Sequence, residues 1–184
     1  PHAFAVTLGG GAVVGSVRVK VELWRTPAVA LAAVAIAVAP VRLPRGAGAG
    51  LQTFVPTATS AEIFVDKVFA LGARQYLKAR DVFDLYWLET QEGITACSAP
   101  ALAARLAMYP DETQSGWLAK AQARRGELLA SGATIQADLR RWLPSSWPLD
   151  EAAIQRMVTC AVGGLDAGIE AMQELSGAPA RGGA

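Results

Sequence analysis

The chain has 184 residues, 17 Lys and Arg against 16 Asp and Glu, a formal net charge of +1, and 52% hydrophobic residues. That apolar content excludes wholesale disorder and suffices for one domain, or one lobe with a helical extension. The balanced charge excludes a whole-molecule pull toward nucleic acid or membrane, so any polyanion site has to be a local patch.

The chain starts at Pro1, with no basic segment ahead of an apolar one. This indicates no signal peptide and suggests a start inside a longer protein. His2 stands alone and is a weak candidate for a ligand. Residues 4–8 read as a strand and Gly9, Gly10 and Gly11 as a turn. Residues 17–24 alternate strictly, with Val17, Val19, Val21 and Leu23 on one face and Arg18, Lys20, Glu22 and Trp24 on the other. The two runs together predict a β-hairpin. The longest apolar run, residues 28–39, lies between Pro27 and Pro40 and is too short to cross a bilayer, so it is expected in the core. Within it residues 34–38 suit a buried strand or a short helix, and periodicity does not decide. Residues 44–50 form a Gly/Pro-rich loop, and residues 51–55 a short strand.

From residue 59 the period becomes helical. A first helix covers about 60–72, with Ser60 as N-cap and Ile63 and Phe64 starting its apolar stripe. A second covers about 79–90 and stops before Gly93. Pro100 opens a third, which ends near Pro110. Asp111 caps a fourth, reaching about Leu129. Residues 134–143 form a short helix stopped by Pro144, and Leu149 or Asp150 starts a last one reaching about Leu175. The Gly/Ala/Pro-rich tail, 176–184, is expected to fray. Strands first and helices after predict an α+β fold, a partial sheet followed by a helical C-terminal lobe. Cys97 and Cys160 lack metal-type spacing, which suits buried thiols in a reduced, cytoplasmic protein. Trp117, Trp142 and Trp147 suit packing better than base stacking. Arg124–Arg125 and Arg140–Arg141 read as solvated helical faces that could extend a basic surface toward RNA.

The informative stretch is 62–88, EIFVDKVFALGARQYLKARDVFDLYWL. Lys67 sits mid-helix among Val65, Val68 and Phe69. Lys78, Arg80, Asp81 and Asp84 then crowd seven residues. Asp81 and Asp84, three apart, share a helix face. Asp81 falls in a first turn, where the helix dipole favours a carboxylate. Arg74, Lys78 and Arg80 surround that N-terminus, a combination suited to phosphate: lysine as point charge, arginine as bidentate fork, aspartates orienting both. On spacing alone, a solvated helix–loop–helix with ordinary salt bridges accounts for the same residues.

The string Glu62, Lys67, Ala70, Arg74, Lys78, Arg80, Asp81, Asp84, Leu85 and Tyr86 resembles the late motifs of the AbiEii/AbiGii toxin family, a branch of the polymerase-β-like nucleotidyltransferases. The resemblance implies a remainder of the nucleotidyltransferase β region at 1–58, a helical lobe at 59–175 carrying the motifs, and a flexible tail at 176–184. It implies transfer of a nucleotide from a nucleoside triphosphate to an RNA such as tRNA, with Mg²⁺, by the toxin half of a toxin–antitoxin pair. Lys67, Asp81 and Asp84 would be catalytic, Arg74, Lys78 and Arg80 would bind nucleotide, and Glu22 would be a metal carboxylate. The antitoxin would be a protein partner, and no membrane is involved. The chain departs from the pattern in one respect. Gly9–Gly11 is followed by no Asp-x-Asp pair, and the first aspartate is Asp66. Paired carboxylates hold the metal in such chemistry, so the chain is expected to be inactive by itself. The other reading is a non-catalytic member that binds a nucleotide, RNA or a partner protein.

Overall fold

A computed structural model describes residues 2–8, 17–23, 28, 32–40 and 54–177; for 2–8, 17–23, 176 and 177 the backbone alone is described. Gly9–Gly11, the loop 44–50 and the tail beyond 177 lie outside the described residues, as do the side chains of His2 and Glu22.

β1 (His2–Leu8) and β2 (Val17–Leu23) form the expected antiparallel hairpin. Its register sets Phe4 opposite Val21, Val6 opposite Val19 and Leu8 opposite Val17, so the apolar positions of both strands align. A second antiparallel pair joins β3 (Ile36–Pro40) and β4 (Phe54–Ala58). This resolves the ambiguous 34–38 segment as strand, shifted two residues toward the C-terminus. The strand expected at 51–55 runs later too, as β4. The expectation that the 28–39 run is core does not hold for Ile36 and Val38, which are exposed. The reason is that β3 belongs to a two-stranded ribbon, and two strands do not bury a face without a covering layer.

Six helices follow: α1 (Ser60–Ala73), α2 (Ala79–Glu92), α3 (Ala99–Met108), α4 (Gln114–Ala130), α5 (Gly132–Leu139) and α6 (Glu151–Gly177). The α+β order is as expected. Two caps differ. Thr59, not Ser60, accepts the Glu62 N–H at the start of α1, and Thr113, not Asp111, accepts the Gly116 N–H at the start of α4. In both cases a threonine in extended conformation directly precedes the helix and reaches the third N–H beyond it. α2 ends at Gly93 in the left-handed region, φ 69°. α5 begins and ends earlier than its expected 134–143, and turns continue toward Pro144. Asp150 accepts the Ala153 N–H at 2.7 Å and caps α6.

α6 packs against all five other helices. Its buried Ile154, Met157, Val158, Ala161, Leu165 and Met172 recur at helical spacing and form the spine of the core. Against them lie Phe64, Val65, Val68 and Phe69 of α1, Val82, Leu85 and Leu88 of α2, and Trp117 of α4. Trp117 is fully buried, as expected, and its indole N–H donates to the Phe69 carbonyl at 2.9 Å. Trp147 is half-buried and meets Phe83 edge-on, ring centroids 5.3 Å apart. Trp142 departs from the packing expectation: 61% of its surface is exposed. It lies in the turns after α5, beyond the reach of the core.

Candidate functional site

α1 and α2 pack side by side across the connection 74–78. Their facing surfaces bring together four of the expected residues. Lys67 Nζ lies 3.3 Å from Asp81 Oδ1 and 2.5 Å from Asp84 Oδ2. Arg74 Nη1 pairs with Asp81 Oδ2. Asp81 therefore uses one carboxylate oxygen for each cation. It is 1% exposed, while Lys67 and Arg74 remain 26% and 36% exposed. A carboxylate this deeply buried is tolerable only if paired, and two cations plus the first-turn position at the α2 N-terminus supply that pairing. Asp84, one turn later on the same face, meets the lysine from the solvent side.

Lys78 and Arg80 have other partners. Lys78 Nζ sits 5.6 Å from the Tyr76 ring centroid, and the Arg80 guanidinium 5.8 Å from the Trp142 ring centroid. Both are within cation–π range. The three cations expected to surround one anion thus divide: Arg74 faces the aspartates, and the other two face exposed aromatic rings.

Arg74 also borders a cavity of about 680 Å³ lined by Phe69, Tyr109, Glu112 and Lys120 among others. That volume falls in the range of small-molecule sites. Lys120 is paired with Glu112 at 2.7 Å, and Tyr109 stacks on Phe69 at 5.4 Å.

The burial of two arginines was not expected from the sequence. Arg105 of α3 is 2% exposed; its Nη2 meets Glu62 at 2.5 Å and its Nε meets Asp66 at 2.7 Å. Burial works to lower its pKa, but the hydrogen bonds and charges of Asp66 and Glu62 prevail and hold it above the ordinary value. Glu62 also accepts the Ala35 N–H at 3.2 Å, tying α3, α1 and the residue ahead of β3 together. Arg124, expected to be solvated, is buried instead. Its Nε donates to the Leu71 carbonyl at 3.1 Å and its Nη2 to the Arg74 carbonyl at 2.6 Å. With Trp117 on the Phe69 carbonyl, α4 satisfies three carbonyls at the end of α1, where a cation is also favoured by the dipole. The signal available for Arg105 was its isolation in an otherwise apolar helix, which requires a carboxylate partner if it turns inward. For Arg124, beside Arg125, the sequence offered none.

Divalent metal fits this cluster poorly. Asp81 and Asp84 already face Lys67 and Arg74, so a metal ion would enter beside two cations. Among the described residues no group of three His, Cys, Asp or Glu side chains could hold a metal. Nor is any described helix long and apolar enough to cross a membrane. Cys97 and Cys160 are partly rather than fully buried.

The class that fold and cluster define is an α+β chain whose helical lobe is built around a buried, doubly paired aspartate. The comparison with known families narrows this, because a family described as nucleotidyl transferase AbiEii toxin, type IV TA system, matches residues 3–153. The chain belongs to that family of nucleotidyltransferase-like toxins, which implies an antitoxin partner. No curated protein and no solved structure matches it.

Proposed function

We propose that the intact protein is a cytoplasmic nucleotidyltransferase toxin that moves a nucleotide from a nucleoside triphosphate to an RNA acceptor, for which the family resemblance implies a tRNA 3′ end. The observation that carries the reading is the α1–α2 cluster. A buried aspartate holds a lysine and an arginine in fixed positions, and both cations keep part of their surface in solvent. Such preorganised cations suit charge developing on transferring phosphate oxygens. Lys67 and Arg74 meet the triphosphate. Asp81 positions both. Asp84, on the solvent side, yields Lys67 to a phosphate oxygen when substrate arrives. Lys78 and Arg80 serve the polyanionic substrates from the α2 N-terminus. Glu22 would be the carboxylate that holds Mg²⁺. The metal requirement rests on the family resemblance alone, since the α1–α2 cluster does not suit a divalent ion.

The sequence contains no Asp-x-Asp pair, so these 184 residues are expected to transfer nothing unaided. The same fact favours a second reading, a non-catalytic member that binds a nucleotide, RNA or a partner through this surface. The test is incorporation of labelled nucleotide into total tRNA by the intact protein. Lys67→Ala and Asp81→Ala are each expected to lower transfer by about two orders of magnitude with circular dichroism unchanged. Wild-type transfer by Lys67→Ala removes the catalytic role. Nucleotide binding by calorimetry without any transfer selects the second reading.

A further inference from the structure

The cations that leave the α1–α2 cluster converge elsewhere. Tyr76 and Lys78, from the connection between α1 and α2, line a cavity of about 590 Å³ together with Ser131 and Thr134 at the start of α5 and Arg141 just after it. The Arg80–Trp142 contact joins residues one or two positions along the chain from the lining residues Ala79, Lys78 and Arg141. Tyr76 is 63% exposed and Trp142 61%. Each carries a cation within 6 Å of its ring centroid, Lys78 at 5.6 Å and Arg80 at 5.8 Å. Arg140 is exposed as well.

The acidic neighbours leave this character intact. Glu127 lines the cavity but pairs with Arg124, and Asp138 makes a long, 3.5 Å contact with Arg141, itself strongly exposed. In a chain of net charge only +1, Lys78 and Arg80 each stand over an open aromatic ring, and Arg141 lines the cavity beside Lys78.

We propose that this face, from Tyr76 and Lys78 across the cavity to Arg80 and Trp142, is the docking surface for a single-stranded RNA end. Two exposed rings offer stacking platforms for unpaired bases, and cations beside each ring meet the flanking phosphates. Duplex RNA keeps its bases stacked inside and cannot use such rings. The cavity beside Tyr76 leaves room for a nucleotide, with Ser131 and Thr134 on its wall supplying hydroxyls that can bond base or ribose. The inference deepens the proposed function by giving its RNA acceptor a place, and it assigns Lys78 and Arg80 to the acceptor strand.

The test is fluorescence anisotropy of the 184-residue chain with a labelled single-stranded RNA of about 12 nucleotides, a length within known single-strand site sizes, beside the same sequence as a duplex. Tyr76→Ala and Trp142→Ala are each expected to weaken single-strand binding roughly 5- to 100-fold, the usual consequence of losing a stacked base. Trp142→Phe, which keeps a ring, is expected to retain most of the affinity. Arg80→Ala is expected to reduce the slope of log affinity against log salt by about 0.7. Thermal unfolding of all four variants should match the wild type, since the rings lie outside the core. Absent RNA binding by the wild-type chain, wild-type affinity in both aromatic variants, or equal binding of duplex overturns the proposal. So does loss of antitoxin binding in these variants with RNA binding unchanged, which assigns the face to the protein partner. The two readings separate cleanly in the intact protein. Absence of transfer alongside ring-dependent RNA binding sinks the enzyme reading alone, and transfer by Trp142→Ala at an unchanged KM for RNA sinks the docking surface alone.

Discussion

Asp81, Arg105 and Arg124 are the charged side chains buried among the described residues, and each is paired differently. Asp81 holds two cations, Arg105 two carboxylates, and Arg124 two helix-end carbonyls besides Glu127. The first was legible in the sequence because its partners stand in one short stretch and its position opens a helix. Arg105 was not: Glu62 and Asp66 lie about forty positions away, and only folding brings α3 onto α1. The thiols show another consequence of burial. Burial pushes Cys97 up to about 12, against the opposing charge of Arg105, and pushes Cys160 to about 12 with help from a hydrogen bond and the charge of Glu89. Both start from an ordinary value of 9.0, so at pH 8 the folded protein holds about a thousandfold less thiolate than the unfolded chain. Alkylation by iodoacetamide at pH 8 is expected to be slow in buffer and fast in urea; rapid labelling in buffer would contradict these shifts. Because the folded pKa is raised, the associated stability is intact below pH 9.0 and is lost as pH climbs toward about 12.

Helix packing depends on glycines that sequence patterning reads only as weak points. A Cβ on Gly72 would stand 2.7 Å from the Trp117 ring, and one on Gly168 2.5 Å from Val68 Cγ1. The indole cannot easily retreat, since its N–H is held by the Phe69 carbonyl. Gly163, in the same helix as Gly168, has nothing within 4 Å of the corresponding position. Gly72→Ala and Gly168→Ala are therefore expected to destabilise by about 1–3 kcal/mol through overpacking. Gly163→Ala is expected to stabilise by about 0.5–1 kcal/mol through helix propensity. Urea unfolding measures all three, and an equal effect at Gly163 and Gly168 would show that close approach is not what decides. Helix existence was legible from apolar period and punctuation: Gly93 stops α2, and Pro100 stands in the first turn of α3. The exact caps were not, because Thr59 and Ser60 are both competent cap residues, and the choice turns on backbone angles that the sequence does not display.

At the scale of the whole chain, the buried cluster among the described residues runs from Phe64 to Met172 and takes every member from the helices. The cleanest alternation in the sequence, residues 17–24, falls where side chains are not described, while the described side chains of β3 and β4 are largely exposed, Ile36, Val38, Phe54 and Val55 among them. Alternation reports which residues could share a face; it does not report whether a layer covers that face. The helical lobe and the strands preceding it meet through β4 against α1, a hydrogen bond from Thr59 N–H to the Ala35 carbonyl, and the Ala35–Glu62 bond. Among the described residues these are few, and net hydrogen bonds of this kind contribute about 0.5–1.5 kcal/mol each. A chain beginning at Thr59 keeps the Thr59 cap of α1, the Asp81 and Arg105 ion pairs, and the whole buried cluster. It is therefore expected to fold cooperatively, with the far-ultraviolet signal of six helices and an unfolding free energy lower than the full chain's by no more than about 2–3 kcal/mol. Circular dichroism and urea titration of residues 59–184 measure this. A non-cooperative transition, or loss of near-ultraviolet signal from the buried Trp117, would mean that the strands complete the core and that the boundary at residue 58 is not a domain boundary. If the lobe stands alone, the same fragment also tests where the docking face resides, because Tyr76, Lys78, Arg80 and Trp142 all lie within it.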